Sequence, residues 1–395
     1  MSFGRQSPAR GFSLGIPTLL GACCFTSIAA LRVCDTLLPV LADDFSVTVG
    51  QAARVIFAFA IAYGFFQLCF GPLGDRFGKL RIISLCALAS VIGNGMAFVS
   101  PTLDWLVAAR IVSGASAAGI FPLAMAWIGD NVPYAKRQAA LARLMSAGVM
   151  GMLAGQWFSG LIAQWVSWRL VFLVLALLFL VSGGMLLRAV RREALPAKAV
   201  DKSGSRFRDI LGRPASRWIL ALVTVEGALA FGPIAFIPSM LQRHHDVSLS
   251  MAGGIAAFYG VGGFLYTRMA ARLLGRFGES GLARLGGLLL FTGLMSFAYV
   301  PLLACTPLAC LLAGFGFYCL HNTLQTKATQ MAPMARGAAM SLFACCLFLG
   351  QSLGVWGAAW VADHLSDRWI FGGAGIGLLL LALLVARRGQ PEGTS

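Results

Sequence analysis

Among the ionisable side chains inside the long apolar segments of this chain, six are candidates for chemistry, namely Arg32, Asp35, Arg54, Arg110, Glu226 and His321. Ionisable groups are costly in hydrocarbon, so those found in membrane helices are usually paired with one another or used to move ions and solutes. We therefore expect their chemistry to be the binding and release of protons and the electrostatic binding of a solute.

Two of these groups, Asp35 and Arg110, are predicted to lie at the same depth, each about six residues, or roughly 9 Å, from one membrane face. A nearby arginine stabilises the charged form of a carboxylate, whereas burial without it favours the neutral form. Movement of Arg110 would then make Asp35 bind or release a proton. The alternative is a static buried ion pair that fixes helix packing. Arg32, one helical turn before Asp35, competes with Arg110 for the same carboxylate, and the sequence does not rank the two arginines.

Glu226 is the acidic residue predicted near the membrane midplane in the second part of the chain. Pro233 and Pro238 follow it and are able to break the helix and expose backbone groups, as happens at transporter binding sites. We expect Glu226 to bind protons or a cationic substrate. The alternative is a neutral carboxylic acid that is hydrogen-bonded locally.

A substrate cavity is predicted where polar and aromatic side chains share the apolar segments. His321 and Asn322 lie toward the inner end of the tenth segment, next to aromatic residues. A lone histidine there is often a hydrogen bonder between helices, and aromatic residues often face lipid or neighbouring helices instead. The predicted cavity residues are Glu226, Phe231, Phe315, Tyr318, His321, Asn322, Gln156 and Gln351.

The segments that carry these residues are long enough to span a membrane. The chain is 58% hydrophobic and 12% charged, the reverse of what a soluble domain needs. A helix of about 20 apolar residues crosses the hydrocarbon core, and the strict alternation of an outer-membrane barrel is missing, so we predict helices. We place twelve spans at residues 16–41, 49–70, 81–99, 104–127, 139–163, 168–188, 216–240, 249–273, 281–300, 303–326, 336–362 and 366–387.

The net charge of +16 would suggest nucleic-acid binding in a soluble protein, but the positions of the basic residues indicate membrane topology instead. They precede the first span and follow each even-numbered span, whereas the opposite connections offer only Arg169, Arg243 and Arg368. By the positive-inside bias, both termini are cytoplasmic. We expect an integral protein of a bacterial-type inner membrane that contacts anionic lipids and binds no nucleic acid.

An internal repeat with an offset near 200 residues organises the chain. Residues 73–79, Leu-Gly-Asp-Arg-Phe-Gly-Lys, reappear at residues 273–279 as Leu-Leu-Gly-Arg-Phe-Gly-Glu, and Gly114 corresponds to Gly314. Six spans per half, an even number, would relate the repeats by an axis along the membrane normal.

The repeat predicts a division of the chain into two helical bundles. The pair Gly155 and Gln156 is echoed, slightly out of step, by Gly350 and Gln351. We expect an N-terminal six-helix bundle, a basic cytoplasmic linker whose end is amphipathic, and a C-terminal six-helix bundle. Their predicted bounds are residues 1–190, 191–213 and 214–395.

Several motifs resemble those of the major facilitator superfamily. The turn after the second span, at residues 71–81, resembles the signature between the second and third helices of that family, and residues 106–114 are similar to its fourth-helix motif. Residues 321–325 and the segment that follows resemble the drug or sugar efflux branch. The resemblance implies an all-α membrane protein of twelve helices in two pseudo-symmetric bundles.

The same resemblance implies roles for particular residues. In the family, an arginine on the fourth helix works near an acid on the first, which favours Arg110 and Asp35. The family's cytoplasmic acid, here Asp75, is thought to face a helix N-terminus and hold the halves together; the alternative is a local turn cap. The residues of this predicted conformational latch are Gly71, Asp75, Arg76, Gly78 and Lys79.

Transport by alternating access is therefore the predicted function, as proton-coupled export of small amphipathic or apolar molecules. Import of a small metabolite by proton symport is the alternative. The glycine-rich motif expected on the fifth helix of exporters lacks its proline here, which weakens the prediction of direction. A membrane-embedded enzyme or a channel fits less well, and no phosphate-binding loop of an ATPase occurs. We expect a monomer without cofactor or metal.

Overall fold

The computed structural model describes residues 15–192, 204–300, 302–332 and 336–387, and the regular structure in these ranges is helical. Fourteen α-helices are present, with a short 3₁₀ turn at Leu303–Cys305. The helices are α1 Gly15–Asp44, α2 Val49–Ala52, α3 Arg54–Phe77, α4 Lys79–Phe98, α5 Leu103–Ala117, α6 Ile120–Asn131, α7 Tyr134–Trp165, α8 Trp168–Arg192, α9 Gly204–Gly212, α10 Pro214–His245, α11 Leu249–Tyr299, α12 Thr306–Gln330, α13 Arg336–His364 and α14 Asp367–Arg387.

The helices account for all twelve predicted spans, so the predicted fold class is confirmed. Ten helical segments of the described chain are long and apolar enough to cross a membrane. One of them is α11, whose 51 residues contain a non-helical backbone at Gly278 and so comprise the eighth and ninth predicted spans. The fifth predicted span lies in α7, which has 32 residues but carries more polar side chains.

The backbone repeats its unusual conformations with an offset of 200 residues. In the described part of the chain, the non-glycine residues with positive φ are Ser46, at 51°, and Asp246, at 49°. The glycines with positive φ are Gly78, at 92°, and Gly278, at 63°. Left-handed backbone is uncommon outside turns, and the two residues of each pair are 200 positions apart. The same two turns therefore occur in each repeat.

Close helix contacts repeat with the same offset. A Cβ atom at Gly114 of α5 would overlap the carbonyl oxygen of Phe59 on α3, and one at Gly314 of α12 would overlap that of Tyr259 on α11. Small residues let membrane helices approach to backbone contact. Phe59 and Tyr259 are therefore structural equivalents.

The glycines of α7 and α13 correct one detail of the repeat. They pack against α1 and α10, respectively, with an offset of 199 residues, so Gly155 corresponds to Gly354. The pairing of Gly155 with Gly350 from sequence is wrong by one helical turn, and Gln156 and Gln351 are not equivalents. The carbonyl oxygens that face Gly151, Gly155, Gly350 and Gly354 belong to Phe25, Ala29, Thr224 and Ala228, in that order.

We call residues 15–192 the first half and residues 214–387 the second half. Helices α7 and α11 pack against each other between the halves, as do α3 and α13, and α1 reaches α10. We call the end of the bundle with the turns at residues 45–48 and 246–248 the outer end, and the end with Gly78 and Gly278 the inner end. These names follow the predicted orientation.

Hydrogen bonds join the halves at the outer end. Asp363, near the end of α13, accepts from the Thr48 hydroxyl at 2.6 Å and from the Gly50 backbone N–H at 3.0 Å. Gln164, near the end of α7, accepts from the Ser250 backbone N–H at 3.0 Å. In both cases, a side chain of one half caps the first turn of a helix of the other half.

The predicted linker at residues 191–213 is partly helical. Helix α8 continues to Arg192, residues 193–203 lie outside the described ranges, and α9 forms a helix at Gly204–Gly212. Ile210 of α9 is buried whereas Leu211 is exposed, so the helix has one face on the protein. The Arg213 side chain donates to the Met331 carbonyl oxygen at 3.1 Å and ties the start of α10 to the end of α12.

Candidate transport site

A buried ion pair on α1 is the first element of the site. Arg32 Nη1 lies 3.4 Å from Asp35 Oδ2, three residues later on the same helix. The Asp35 side chain is fully buried, and its second oxygen, Oδ1, has no hydrogen-bond partner in the described structure. Of the two arginines that the sequence left unranked, Arg32 is the one in contact with the carboxylate.

Arg110 lies close by but makes different contacts. Its side chain is fully buried; Nη2 donates to the Ala30 carbonyl oxygen at 2.9 Å and Nε to that of Val55 at 3.4 Å. The guanidinium lies 4.1 Å from the centre of the Phe59 ring. Arg110 therefore links α5 to α1 and α3, within electrostatic range of Asp35 but without a direct ion pair among the described contacts.

Arg32 also reaches the second half. Its guanidinium carbon lies 4.4 Å from the centre of the Phe231 ring on α10. An arginine over an aromatic face is attracted to the ring quadrupole, most strongly where water is excluded. The first-half ion pair is thus in contact with a second-half helix.

A second buried pair joins α10 and α12. His321 Nδ1 lies 3.0 Å from Glu226 Oε2. The Glu226 side chain is fully buried and its Oε1 has no hydrogen-bond partner in the described residues. Both residues are predicted site residues, but the sequence does not indicate that they pair. Through this contact, His321 forms a hydrogen bond between helices, which was the alternative to a role in the substrate cavity.

Helix α10 is continuous at this pair. The sequence led us to expect that Pro233 and Pro238 break the helix, yet both lie inside the single helix Pro214–His245. Close packing of neighbouring helices keeps a proline-containing helix intact in a membrane protein. Glu226 is therefore positioned by a regular helix turn and not by an unwound backbone.

An aromatic cluster lies beside both pairs. The Phe317 ring of α12 is central: its centroid is 5.1 Å from that of Phe231, 6.0 Å from that of Tyr259 and 5.5 Å from that of Tyr318. The His321 ring stacks on Phe317 at 5.0 Å. We call Phe231, Tyr259, Phe317, Tyr318 and His321 the aromatic cluster.

Two members, Phe317 and Tyr259, were not among the predicted cavity residues, and the repeat offers a signal for Tyr259. Tyr259 is the structural equivalent of Phe59, whose ring lies against Arg110. The 200-residue repeat in the sequence could therefore have identified Tyr259. Its side chain is buried, and its hydroxyl has no hydrogen-bond partner in the described part of the molecule. Tyr259 lies within electrostatic range of both Arg32 and Glu226.

Phe315 and Asn322 are predicted cavity residues that are not members of the aromatic cluster. Phe315 packs edge-on against Tyr266 of α11, with ring centroids 5.8 Å apart, in a small apolar group that also touches Tyr318. The Asn322 amide donates to the Tyr318 carbonyl oxygen, one turn earlier on its own helix, at 2.8 Å. The Tyr266 ring stacks on Tyr318 with centroids 6.5 Å apart, so Phe315 adjoins the edge of the aromatic cluster, whereas the Asn322 amide is bonded within its own helix.

Two buried amides have unused hydrogen-bonding capacity. Gln156 of α7 and Gln351 of α13 are fully buried, and in the described structure neither amide nitrogen nor oxygen has a hydrogen-bond partner. Gln156 lies next to Asp35, and the Gln351 backbone packs against Gly227, the residue after Glu226. Buried polar groups are normally paired, so the unpaired state of both amides is unusual.

The inner-end turn at residues 71–79 forms a local charge network. Lys79 Nζ lies 2.8 Å from Asp75 Oδ1 and 2.9 Å from Asp130 Oδ2, all within the first half. Arg76 lies over the ring of its neighbour Phe77, and Gly78 supplies the positive φ of the turn. Residues 333–335, before α13, lie outside the described ranges, so the latch between the halves stays a prediction.

Comparison with known proteins connects this geometry to a family. The family model described as Major Facilitator Superfamily matches residues 20–336, well over half of the chain. The chain is 28% identical to the fatty acid resistance protein FarB of Neisseria gonorrhoeae over 41% of its length, and this alignment covers 36% of that relative. It is 27% identical to the chloramphenicol resistance protein of Streptomyces lividans, over 89% of this chain and 90% of the relative.

A solved structure shares the fold. The crystal structure of a D-xylose-proton symporter matches with a TM-score of 0.72, over 95% of this chain and 97% of that chain. The two sequences are 17% identical, so the likeness concerns the arrangement of the helices.

Proposed function

This chain belongs to the Major Facilitator Superfamily and is a membrane transporter rather than an enzyme, and we propose that it exports small amphipathic or apolar molecules in exchange for protons. The two halves rock about the buried site, which opens to one side of the membrane at a time. Asp35, with Arg32 and Arg110, and Glu226, with His321, are the proton-binding groups of this proposal.

The observation that carries the proposal is the double contact of Arg32. Its guanidinium is bonded to Asp35 in the first half and lies on the Phe231 ring of the second half. Rocking of the halves changes the distance to that ring and therefore the position of the guanidinium. Because a buried carboxylate is charged beside a cation and neutral without one, this motion would move a proton on or off Asp35.

Export is supported by the relatives and by the composition of the site. FarB and the chloramphenicol resistance protein are named for resistance to a fatty acid and to an antibiotic. Removal of a toxic solute from the cell produces such resistance. The aromatic cluster supplies apolar contact area, and Gln156 and Gln351 supply hydrogen bonds, a combination that suits solutes with an apolar body and a few polar groups.

Orientation is part of the same proposal. We place the inner end, with Lys79 and Arg76, at the cytoplasmic face of a bacterial inner membrane, together with both termini, because the basic connections cluster there. The inner end also carries α9, whose exposed Arg208 suits anionic headgroups. We expect the transporter to act as a monomer. Reporter fusions at the two termini test the orientation, since each would have to be active on the cytoplasmic side.

The proposed exchange is tested with proteoliposomes that contain the purified protein and the pH indicator pyranine. A pH gradient is set, and chloramphenicol, a medium-chain fatty acid and a panel of amphipathic solutes are added separately. We expect at least one solute to dissipate the gradient with protein present, and not in protein-free liposomes. Proton movement in the same direction as the solute would indicate symport, the alternative function. Solute flux without proton movement would refute coupling.

A further inference from the structure

The aromatic cluster of the second half is occupied by a cation from the first half. Arg32 is the cation, and it lies over the face of Phe231. Its side chain is only 4% exposed, so this contact is made away from bulk water. A desolvated cation against an aromatic face is the arrangement by which proteins recognise organic cations.

The surroundings of the Phe231 ring suit a positive charge. Phe317 and Tyr259 extend the aromatic surface, and Glu226 adds a buried carboxyl group with an unpartnered Oε1. Tyr259 is within electrostatic range of Arg32 on one side and of Glu226 on the other. A cation at this cluster would therefore meet ring faces and a nearby carboxyl oxygen.

Arg32 is held weakly by its own half. Its 3.4 Å separation from Asp35 is the longest of the ion pairs in the described ranges, where the others span 2.7–3.0 Å. Asp35 Oδ1 has no hydrogen-bond partner in the described structure, although the Gln156 amide lies beside the carboxylate, so this oxygen is open to a second bond. Arg32 can therefore leave the ring and gain a second bond to the same carboxylate, which is the favoured bidentate arrangement.

We propose that the aromatic cluster and Glu226 form a binding site for aromatic organic cations, and that Arg32 is a tethered competitor that fills this site when no solute is bound. The proposal rests on the proposed transport function and specifies a substrate class for the same site. A bound cation displaces the guanidinium from Phe231 toward Asp35. Solute binding in the second half then changes the ion pair in the first half.

A purely structural role for Arg32 makes the opposite prediction. If its contact with Phe231 only fastens the halves together, removal of the guanidinium loosens the protein and weakens or leaves unchanged the binding of cations. If Arg32 is a competitor, removal opens the site and strengthens binding. The sign of the change separates the two roles.

The test is equilibrium dialysis of radiolabelled tetraphenylphosphonium against the purified full-length protein in detergent. Tetraphenylborate, with the same shape and the opposite charge, is the control ligand. We expect Arg32→Gln and Arg32→Ala to bind the phosphonium about tenfold more tightly than the unaltered protein, as expected when a desolvated cation–π competitor is removed. Glu226→Gln should bind it more weakly, and tetraphenylborate should gain nothing.

Arg110→Gln is the matched control, because Arg110 is also a buried arginine on an aromatic ring, but that ring, Phe59, belongs to its own half. Arg110→Gln removes one positive charge, as Arg32→Gln does, but leaves Arg32 in place at the aromatic cluster. The competitor role is supported if the gain in phosphonium affinity from Arg32→Gln is at least about threefold larger than the gain from Arg110→Gln. This ratio corresponds to about 0.5 in log Kd. Equal gains, a gain shared by tetraphenylborate, or no binding to any variant would overturn the competitor role.

This result is independent of the transport assay. The dialysis contains no pH gradient, so it measures the site and not the exchange. If proton-coupled flux of neutral solutes occurs in proteoliposomes while Arg32→Gln gains no affinity for the phosphonium, the cation site is refuted and the proposed exchange stands. If the dialysis succeeds and no solute moves protons, the exchange is refuted instead.

Discussion

The guanidinium of Arg32 lies 4.4 Å from the ring centre of Phe231, and this contact joins a charged group of the first half to an aromatic surface of the second. Asp35, the acidic partner of Arg32, is fully buried on the same helix. A change in the separation of the halves therefore changes the surroundings of a buried carboxylate. In the exchange that we propose, alternating access and proton binding are connected at this contact.

Replacement of Asp35 by Asn is expected to uncouple transport from protons. The amide keeps the size of the side chain but cannot ionise, so gradient-driven solute flux should fall at least about tenfold, or about 1.4 kcal/mol of coupling free energy. Solute exchange without a gradient should remain. The measurement is radiolabelled solute uptake with and without a pH gradient.

Asp104→Asn is the matched control for this experiment. Asp104 is an exposed carboxylate at the outer end, paired with Arg54 at 2.7 Å. We expect this variant to keep its response to the gradient. Full proton-driven uptake by Asp35→Asn would exclude Asp35 from coupling.

Removal of His321 is expected to destabilise the protein more than neutralisation of Glu226. His321→Ala leaves a fully buried carboxyl group without its hydrogen-bond partner, which costs about 1–3 kcal/mol. Glu226→Gln removes the charge and keeps a hydrogen-bonding group. Thermal unfolding in detergent, followed by size-exclusion chromatography, measures both.

The same pair separates two substrate classes. Glu226→Gln should lower the affinity for cationic solutes and leave that for neutral solutes within about twofold, since only the former interact with its charge. Equal losses for both classes would show that Glu226 acts through the shape of the site and not through its charge.

Substitution at Gly314 tests the packing that defines the repeat. A Cβ atom there would overlap the Tyr259 carbonyl oxygen, so Gly314→Ala should lower stability by about 1–3 kcal/mol, as overpacking does. A Cβ atom at Gly373 of α14 would meet no neighbouring side chain or helix within 4 Å, so Gly373→Ala is the control. A melting temperature equal in the two variants would contradict the close approach of α12 to α11.

The outer closure is testable by hydrogen–deuterium exchange. Asp363→Ala removes the acceptor for the Gly50 N–H and the Thr48 hydroxyl, so the amides of α2 should exchange faster by at least about tenfold. Gln164→Ala should have the corresponding effect on the first turn of α11 through Ser250. Each variant is the control for the other, and faster exchange at both sites in one variant would indicate general loosening instead.

The spans and the repeat were predictable because they depend on properties that are local in the sequence. Hydropathy over about 20 residues identifies a membrane helix without knowledge of its neighbours. The turn at residues 73–79 and its copy at residues 273–279 carry the positive-φ glycines of the repeat, Gly78 and Gly278. Both features are encoded by short segments.

The contacts of the site were less predictable because they depend on the rotation of each helix about its axis. Arg32 and Arg110 both lie near Asp35, but only the helix orientations direct Arg32 to the carboxylate and Arg110 to the backbone of α1 and α3. On α12, Phe315 and Phe317 are two residues apart and so face different neighbours. The register error at Gly155 has a different cause: a shift of one turn preserves the helix face, so the pattern of small residues does not reveal it.

The direction in which a solute accumulates in proteoliposomes under an imposed pH gradient tests proton-driven exchange. With the interior acidic, protons leave, and we expect the solute to accumulate inside; Asp35→Asn should abolish this accumulation. Accumulation only when the interior is alkaline, or equal accumulation with and without a gradient, would contradict proton-driven exchange.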